Sequence, residues 1–117
     1  MNQIESIDWE KMDGLIPVVT QEASTNEVLM LAYMDKEALT LTLETNIAHY
    51  FSRSKQRIWK KGESSGHTQE IVDIMIDCDD DTILLKVNQT GVACHTGRKS
   101  CFFTSMKTNE EVLDVEV

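Results

Sequence analysis

One short stretch, residues 77–101, combines two kinds of metal-binding side chain and constrains the fold of this chain more than any other feature. It contains all three cysteines, Cys78, Cys94 and Cys101, together with an acidic run over residues 77–81. Soft thiolates favour zinc, whereas hard carboxylates favour magnesium, calcium or manganese. The chain must therefore fold so that these ligands are grouped, and the sequence predicts two metal sites of different character.

The spacing of the cysteines indicates an open zinc site. Fifteen residues separate Cys78 from Cys94 and six separate Cys94 from Cys101, so the close cysteine pairs of structural zinc sites are absent. Three thiolate ligands leave a position for water, which is the catalytic arrangement, although His95 or a second subunit could supply a fourth ligand. A lone cysteine is often a buried small hydrophobe, but this clustering favours a metal.

His95 is the candidate catalytic base of such a site. Three thiolates neutralise the charge of the metal, so a neighbouring base is needed to help deprotonate the attacking water. His95 directly follows Cys94 in the chain. A histidine that only hydrogen-bonds a ligand sulfur or a carbonyl explains this position equally well.

Asp77, Asp79 and Asp81 are the candidate magnesium ligands. In a straight strand, alternate residues would lie ~6.6 Å apart, whereas oxygens that share one magnesium lie roughly 3 Å from each other. The sequence therefore predicts that the chain curls here or that waters complete the shell. A solvated acidic hairpin loop is the alternative, and the presence of Cys78 inside the run favours the metal.

A basic segment over residues 52–61 contrasts with the net charge of −9, because it holds five of the eleven Lys and Arg residues and no acid. Such charges, followed by a Gly/Ser loop, suit the phosphate groups of a small molecule, although a solvated basic strand explains the composition equally well. The overall acidity argues against nucleic acid or an anionic membrane as a partner. The candidate substrate-binding residues are Arg53, Lys60, Lys61, Gly62, Glu63, Ser64 and Ser65.

Patterns of apolar residues predict an α+β fold of one β-rich domain over residues 1–117, with a mixed or antiparallel sheet or a partial barrel and one main helix. The helix is capped by Asp35, extends to about Thr45, and has Ala38, Leu39, Leu41 and Leu43 on its buried face. The expected strands span residues 15–20, 28–33, 48–54, 69–77, 82–89 and 101–106. The nearly continuous apolar run over 71–76 predicts burial on both faces of its strand.

The two ends of the chain carry few structural signals. Residues 109–117 form an acidic tail that is expected to be disordered. A signal peptide is not visible at the start of the sequence, and no apolar run approaches the ~20 residues that span a bilayer. The expected location is the cytoplasm.

With these motifs in place, the chain resembles the phosphoribosyl-AMP cyclohydrolase family of histidine biosynthesis. The motifs that carry the resemblance are Ser52-Arg53-Ser54, Trp59-Lys60-Lys61-Gly62-Glu63-Ser64-Ser65-Gly66, Asp77-Cys78-Asp79-Asp80-Asp81 and Cys94-His95-Thr96-Gly97 through Ser100-Cys101-Phe102. The resemblance implies hydrolysis of the bond between N1 and C6 of the adenine ring of phosphoribosyl-AMP.

The resemblance also implies a metal content and an assembly. Cys78, Cys94 and Cys101 would bind zinc, and the three aspartates would bind magnesium. The family is homodimeric, with zinc sites that draw thiolates from both subunits. Some relatives carry a fused pyrophosphohydrolase domain, and the expectation for this chain is the monofunctional form.

Two other classes of protein use similar ligands. A zinc nucleobase deaminase is excluded by the absence of its His-x-Glu and Pro-Cys-x-x-Cys motifs, since Pro17 is the only proline. A non-enzymatic zinc-binding interaction module is the remaining alternative. It would have four closed ligands and no use for the acidic cluster or the basic loop.

Overall fold

The computed structural model describes residues 3–112 and is made mainly of strands. In chain order the elements are a 3₁₀ helix over Gln3–Ser6, β1 over Ile16–Glu22, β2 over Val28–Met34, α1 over Lys36–Thr45, β3 over His49–Ser52, β4 over Arg57–Lys60, β5 over Gln69–Ile76 and β6 over Ile83–Gln89. This arrangement confirms the predicted β-rich α+β domain with one main helix. In the part of the chain that is described, no helix has the length and apolar character needed to cross a bilayer.

The main sheet is mixed and has the strand order β2-β1-β6-β5. β1 is antiparallel to β2 and parallel to β6, while β5 is antiparallel to β6. The strands β3 and β4 form a separate antiparallel hairpin. A mixed sheet was one of the predicted architectures, and the hairpin beside it forms one wall of the site described below.

Alternating side chains of the two central strands build the core, as the two-residue period of a strand requires. On β1, Ile16 and Val18 are fully buried, and on β6, Leu85 and Val87 are fully buried. Fully burying side chains of this size contributes about 1.5–3 kcal/mol each relative to leaving them exposed. The parallel pairing of β1 with β6 is therefore the centre of the domain.

The helix begins as predicted, because the Asp35 carboxylate accepts a hydrogen bond of 2.7 Å from the backbone N–H of Ala38. Its buried face differs in part from the prediction. Leu43 is 52% exposed, and Thr42 is buried instead. The Thr42 hydroxyl donates to the Ala38 carbonyl at 2.8 Å and accepts from the His49 N–H at 2.9 Å. A buried N–H needs a partner, so a polar residue holds this position.

The prediction that β5 is buried on both faces is wrong. Val72, Met75 and Ile76 have exposed fractions of 53%, 37% and 39%. The reason is that β5 lies at the edge of the main sheet and, within residues 3–112, its only neighbouring strand is β6. An apolar run therefore marks an exposed surface of this chain.

The predicted strand over residues 101–106 is also wrong, since that segment is irregular apart from an isolated bridge between Thr104 and Glu111. Ser100 explains the start of this irregular path, because its hydroxyl donates to the Val28 carbonyl and accepts from the Phe102 N–H. Of the acidic tail expected to be disordered, residues 113–117 lie outside the described part of the chain.

Candidate functional site

A cleft of about 640 Å³ lies between the β3–β4 hairpin, the Gly/Ser loop and the segment that follows β6. All of the candidate substrate-binding residues except Arg53 line it, namely Lys60, Lys61, Gly62, Glu63, Ser64 and Ser65. Cys94 and His95 line the same cleft. The structure thus brings together the basic segment and part of the candidate zinc site, which are distant in sequence.

Arg53 lies elsewhere, with its guanidinium 4.1 Å from the centre of the Tyr33 ring in a cation–π contact. The cleft contains Arg57 and Lys55 in its place, and also Trp59. The sequence motifs did not single out these three residues as ligand contacts. For two of them, the sequence offers a feature that could have identified them. Arg57 and Trp59 are two residues apart on β4 and therefore share a face of that strand.

The Glu63 carboxylate organises strand β4 at the rim of the cleft. Its Oε2 accepts from Arg57 at 2.6 Å, and its Oε1 accepts from the backbone N–H of Lys60 at 3.0 Å. The Arg57 hydrogen bond, followed by that from Lys60, lowers the pKa of Glu63. Glu63 is therefore ionised at neutral pH and holds Arg57 in a set position.

Lys61 connects the basic wall of the cleft to the cysteine wall. Its ammonium donates to the Ala93 carbonyl at 2.5 Å and lies 5.6 Å from the centre of the Trp59 ring. Burial lowers the pKa of Lys61. Ala93 precedes Cys94, so this hydrogen bond links the Gly/Ser loop to the thiol-bearing segment.

Two of the three thiols lie close together beside the cleft. Cys94 is buried, and its sulfur is 3.0 Å from the Thr96 hydroxyl, whose hydrogen bond is the main cause that lowers the pKa of Cys94. The Cys101 thiol is within hydrogen-bonding reach of Cys94, and desolvation is the main cause that raises the pKa of Cys101. A sulfur that favours the thiolate beside a second thiol is a suitable start for a zinc site.

Cys78 lies at the opposite end of β6. It follows β5 in the connection to β6, whereas Cys94 follows the other end of β6, a strand of seven residues. Seven residues in a strand span roughly 20 Å. Within residues 3–112, the three cysteine sulfurs of one chain do not come close enough together to hold one metal ion.

The three aspartates do come together. Ligand oxygens of Asp77, Asp79 and Asp81 all lie within 4.8 Å of one another. The chain curls as expected, since Asp80 has a φ of 59° and Asp77 Oδ1 accepts from the backbone N–H groups of Asp81 and Thr82 at 3.1 and 3.2 Å. Three carboxylates at this separation fit a hard divalent cation, although exposed acidic turns also occur without one.

Fold and site together define a small α+β domain with a basic cleft, a pair of neighbouring thiols and a carboxylate turn. Residues 30–103 match the family model of phosphoribosyl-AMP cyclohydrolase. The chain is 52% identical over 104 residues to the phosphoribosyl-AMP cyclohydrolase of Clostridium beijerinckii and 53% identical over 107 residues to that of Burkholderia cenocepacia. It belongs to the phosphoribosyl-AMP cyclohydrolase family.

The relatives differ in length. The chain is 63% identical over 109 residues to the histidine biosynthesis bifunctional protein HisIE of Wolinella succinogenes. The match to the Wolinella protein covers 93% of this chain and 47% of that protein. The match to the Clostridium protein covers 89% of this chain and 95% of that protein. The match to the Burkholderia protein covers 91% of this chain and 77% of that protein. The chain therefore spans about half the length of the bifunctional relative. The monofunctional form stays a prediction.

Proposed function

We propose that this chain hydrolyses the N1–C6 bond of the adenine ring of 1-(5-phosphoribosyl)-AMP. The product would be the ring-opened formimino-aminoimidazole carboxamide ribotide, in a step of histidine biosynthesis. The observation that carries the proposal is the single cleft that contains the basic segment, Cys94 and His95. The names of the relatives support the same activity. We place this activity in the cytoplasm, where a reducing environment keeps thiols free.

The cleft has the size and chemistry that this substrate requires. Its volume of about 640 Å³ is in the range of small-molecule sites. Lys55, Arg57 and Lys60 supply positive charge for the two phosphate groups. Trp59, held against the Tyr50 ring at a centroid distance of 5.3 Å, offers an aromatic surface for the ribosyl and adenine groups.

Cys78, Cys94 and Cys101 would hold zinc, and bound zinc would supply an activated water for attack at C6. His95, exposed on the cleft beside Cys94, would accept the proton from that water and return a proton to the leaving ring nitrogen. Asp77, Asp79 and Asp81 would hold magnesium, for which their oxygens are suitably close.

We further propose a homodimer in which each zinc site takes Cys94 and Cys101 from one chain and Cys78 from the other. The position of Cys78 at the far end of β6 supports this arrangement, because one chain does not bring its own three thiols together. A closed pair of chains would form two such sites related by a two-fold axis.

An apolar row across the main sheet supports the same assembly. Leu31, Val19, Leu84 and Met75 are register partners on adjacent strands and so share one face of the sheet. Leu31 is 47% exposed and Met75 37% exposed. The row adjoins a shallow apolar groove that reaches Asp77, next to Cys78. A second copy placed there would cover apolar surface and would lie near the thiol that it shares.

The activity is tested by the ultraviolet spectrum of phosphoribosyl-AMP mixed with zinc-loaded protein and magnesium, with and without a chelator. Ring opening changes the adenine chromophore, so we expect a spectral change that the chelator abolishes. A folded, zinc-loaded protein that produces no change would contradict the proposed activity. Unfolding on mild chelation without any hydrolysis would instead favour a zinc-binding module.

The shared zinc site is tested by mixing two inactive variants, Cys78→Ala and Cys94→Ala, after joint unfolding and refolding. In a mixed dimer, one of the two sites lacks both substitutions and is intact. Random pairing makes half of the dimers mixed, so about a quarter of the wild-type activity should return. A Cys94→Ala chain mixed with Cys101→Ala is the matched control, because both of its sites stay defective. Full activity in either single variant, or none in the first mixture, would contradict the shared site.

A further inference from the structure

His67 lies on the wall of the cleft with an imidazole that is free to bind. It is partly buried and lines the cleft with Trp59 and Cys94. Its backbone N–H and carbonyl are hydrogen-bonded, but among residues 3–112 neither ring nitrogen has a hydrogen-bond partner. His49 differs, since it is buried and its Nδ1 lies 2.8 Å from the Ile47 carbonyl. The structure fixes His67 and yet leaves its polar atoms available.

Two glycines hold His67 by contact. A Cβ atom added at Gly91 would lie 2.5 Å from His67 Cδ2 and 2.8 Å from its Nε2, and one added at Gly62 would lie 2.6 Å from the His67 carbonyl carbon. At Gly14, Gly66 and Gly97 an added Cβ would have no atom within 4 Å, although these glycines also have positive φ. Close approach to His67 therefore distinguishes Gly62 and Gly91 from the other glycines.

A buried polar network fixes the backbone of His67 from the core side. The Tyr50 hydroxyl donates to Gln69 Oε1 at 2.5 Å, and Gln69 Nε2 donates to Gln89 Oε1 at 2.8 Å. Gln89 Nε2 in turn approaches the His67 carbonyl at 3.4 Å and donates to the Thr90 carbonyl at 2.9 Å. Since the Tyr50 ring also packs on Trp59, one network positions both an aromatic and an imidazole wall of the cleft.

His67 lies near the part of the cleft that contains Cys94. Its ring packs on Gly91, which is three residues before Cys94 and therefore at most roughly 11 Å from it. An imidazole can donate or accept a hydrogen bond according to its tautomer. The adenine ring and the ribose hydroxyls of the proposed substrate offer groups of both kinds.

We propose that His67 is a substrate-contacting residue that hydrogen-bonds the adenine–ribose part of the substrate and orients its ring for attack. Gly91 and the Tyr50–Gln69–Gln89 network are the positioning elements for this contact. The inference rests on the proposed function, because the substrate is the one named there.

The test compares three substitutions of His67 in zinc-loaded protein. His67→Ala should lower kcat/KM by about ten-fold to a hundred-fold while leaving the thermal midpoint nearly unchanged, since the loss is a contact to substrate. His67→Asn and His67→Gln place an amide nitrogen near the positions of Nδ1 and Nε2, and the one that matches the bonding nitrogen should recover part of the loss.

Two glycine variants test how His67 is held. Gly91→Ala should reproduce the loss of kcat/KM, because its methyl group would displace the imidazole. Gly14→Ala is the matched control, with a φ of +83° but no atom within 4 Å of the added Cβ and no place in the cleft. Equal losses of activity in both variants would overturn the proposed positioning of His67 by Gly91, because they would show that backbone strain is the cause.

A binding measurement separates this inference from the proposed activity. AMP shares the adenine, ribose and 5′-phosphate of the substrate, and its addition should shift the ring signals of His67 in an NMR spectrum of labelled protein. Suppose that the wild-type protein opens the substrate ring, that the kcat/KM of His67→Ala lies within two-fold of the wild-type value, and that AMP does not shift the His67 ring signals. This result would overturn the inference about His67 and leave the proposed activity standing. A wild-type protein that neither binds AMP nor opens the substrate ring would overturn both.

Discussion

The ammonium of Lys11 lies 2.8 Å from Oδ2 of Asp81, one of the three clustered carboxylates. The N-terminal segment that carries it is anchored to the same turn, because the Asp8 N–H donates to the Asp80 carbonyl at 2.8 Å. The Lys11 hydrogen bond is the main cause that lowers the pKa of Asp81. A cation from the chain itself thus neutralises part of the cluster that we propose as the magnesium site.

Replacing Lys11 with methionine should strengthen divalent-cation binding at this turn. The positive charge of Lys11 beside Asp81 repels a bound divalent cation. Because water weakens the interaction between the Lys11 ammonium and that cation, we expect its removal to raise the affinity by roughly three-fold. Titration calorimetry with magnesium or manganese measures it. Lys36→Met is the matched control, since Lys36 pairs with Glu5 at 3.3 Å. Unchanged or weaker binding in the Lys11 variant would contradict the prediction.

Replacing Tyr50 with phenylalanine should destabilise the fold by about 1–3 kcal/mol, the cost of leaving buried polar groups without a partner. The Tyr50 hydroxyl is fully buried between Thr20 Oγ1, at 2.7 Å, and Gln69 Oε1. Urea unfolding provides the measurement. Tyr33→Phe is the control, because it keeps the ring under Arg53. Equal midpoints for the Tyr50 variant and wild type would show that the buried network adds nothing to stability.

Replacing Asp35 with alanine should cost about 1 kcal/mol, because the first turn of α1 would lose its side-chain acceptor. The carboxylate of Asp35 is 2.7 Å from the Ala38 nitrogen. Asp35→Asn retains a side-chain oxygen at the same position and should remain close to wild type. Thermal or urea denaturation of the three proteins distinguishes these outcomes, and an equal loss in both variants would assign the effect to charge instead.

Glu22 should contribute to the acid sensitivity of the fold. Its Oε1 accepts from Lys99 at 2.9 Å, and this bond is the main cause that lowers the pKa of Glu22 below the ordinary value of 4.5. A carboxyl group whose pKa falls on folding stabilises the folded state above its ordinary pKa and loses that contribution as pH decreases through the lowered value.

Glu22→Gln should therefore reduce stability at neutral pH, by about 1 kcal/mol or less, as for most surface ion pairs. The difference from wild type should shrink as the pH falls below 4.5. Urea unfolding over a series of pH values measures it, with Glu44→Gln, at an exposed helical position, as control. A difference that grows on acidification would have the wrong sign.

Local patterns were sufficient for the elements whose burial follows from their own residues. The apolar segment over residues 15–20 predicted β1, and Asp35 followed by a helical pattern predicted the start of α1. The run Asp77–Asp81 predicted that the chain curls or that waters complete a metal shell, because carboxylates two residues apart on a straight strand lie too far apart for one cation. In each case the deciding interaction lies within a few residues.

The remaining features depend on the order of the strands in space. The apolar run of β5 reads as a buried strand, but β5 is exposed because it lies at the edge of the sheet. Strand β4 was not among the expected strands, although a solvated basic strand over residues 52–61 was one of the alternatives. Arg57 and Lys60 give β4 a polar composition, so its pairing with β3 provides what its own residues do not. The distance between Cys78 and Cys94 depends in the same way on the length and direction of β6.

The parallel pairing of β1 with β6 has a consequence for how this chain acquires its structure. Val18 is paired with Ile83, so the middle of the sheet joins segments separated by more than half of the chain. Contacts between such distant segments slow folding, because a large loop must close before they form. During synthesis β1 can pair with β2 as soon as both are made, but β6 must emerge from the ribosome before the core is complete. Until then the apolar side chains of β1 lack their partner strand, and exposed apolar surface of this kind favours aggregation.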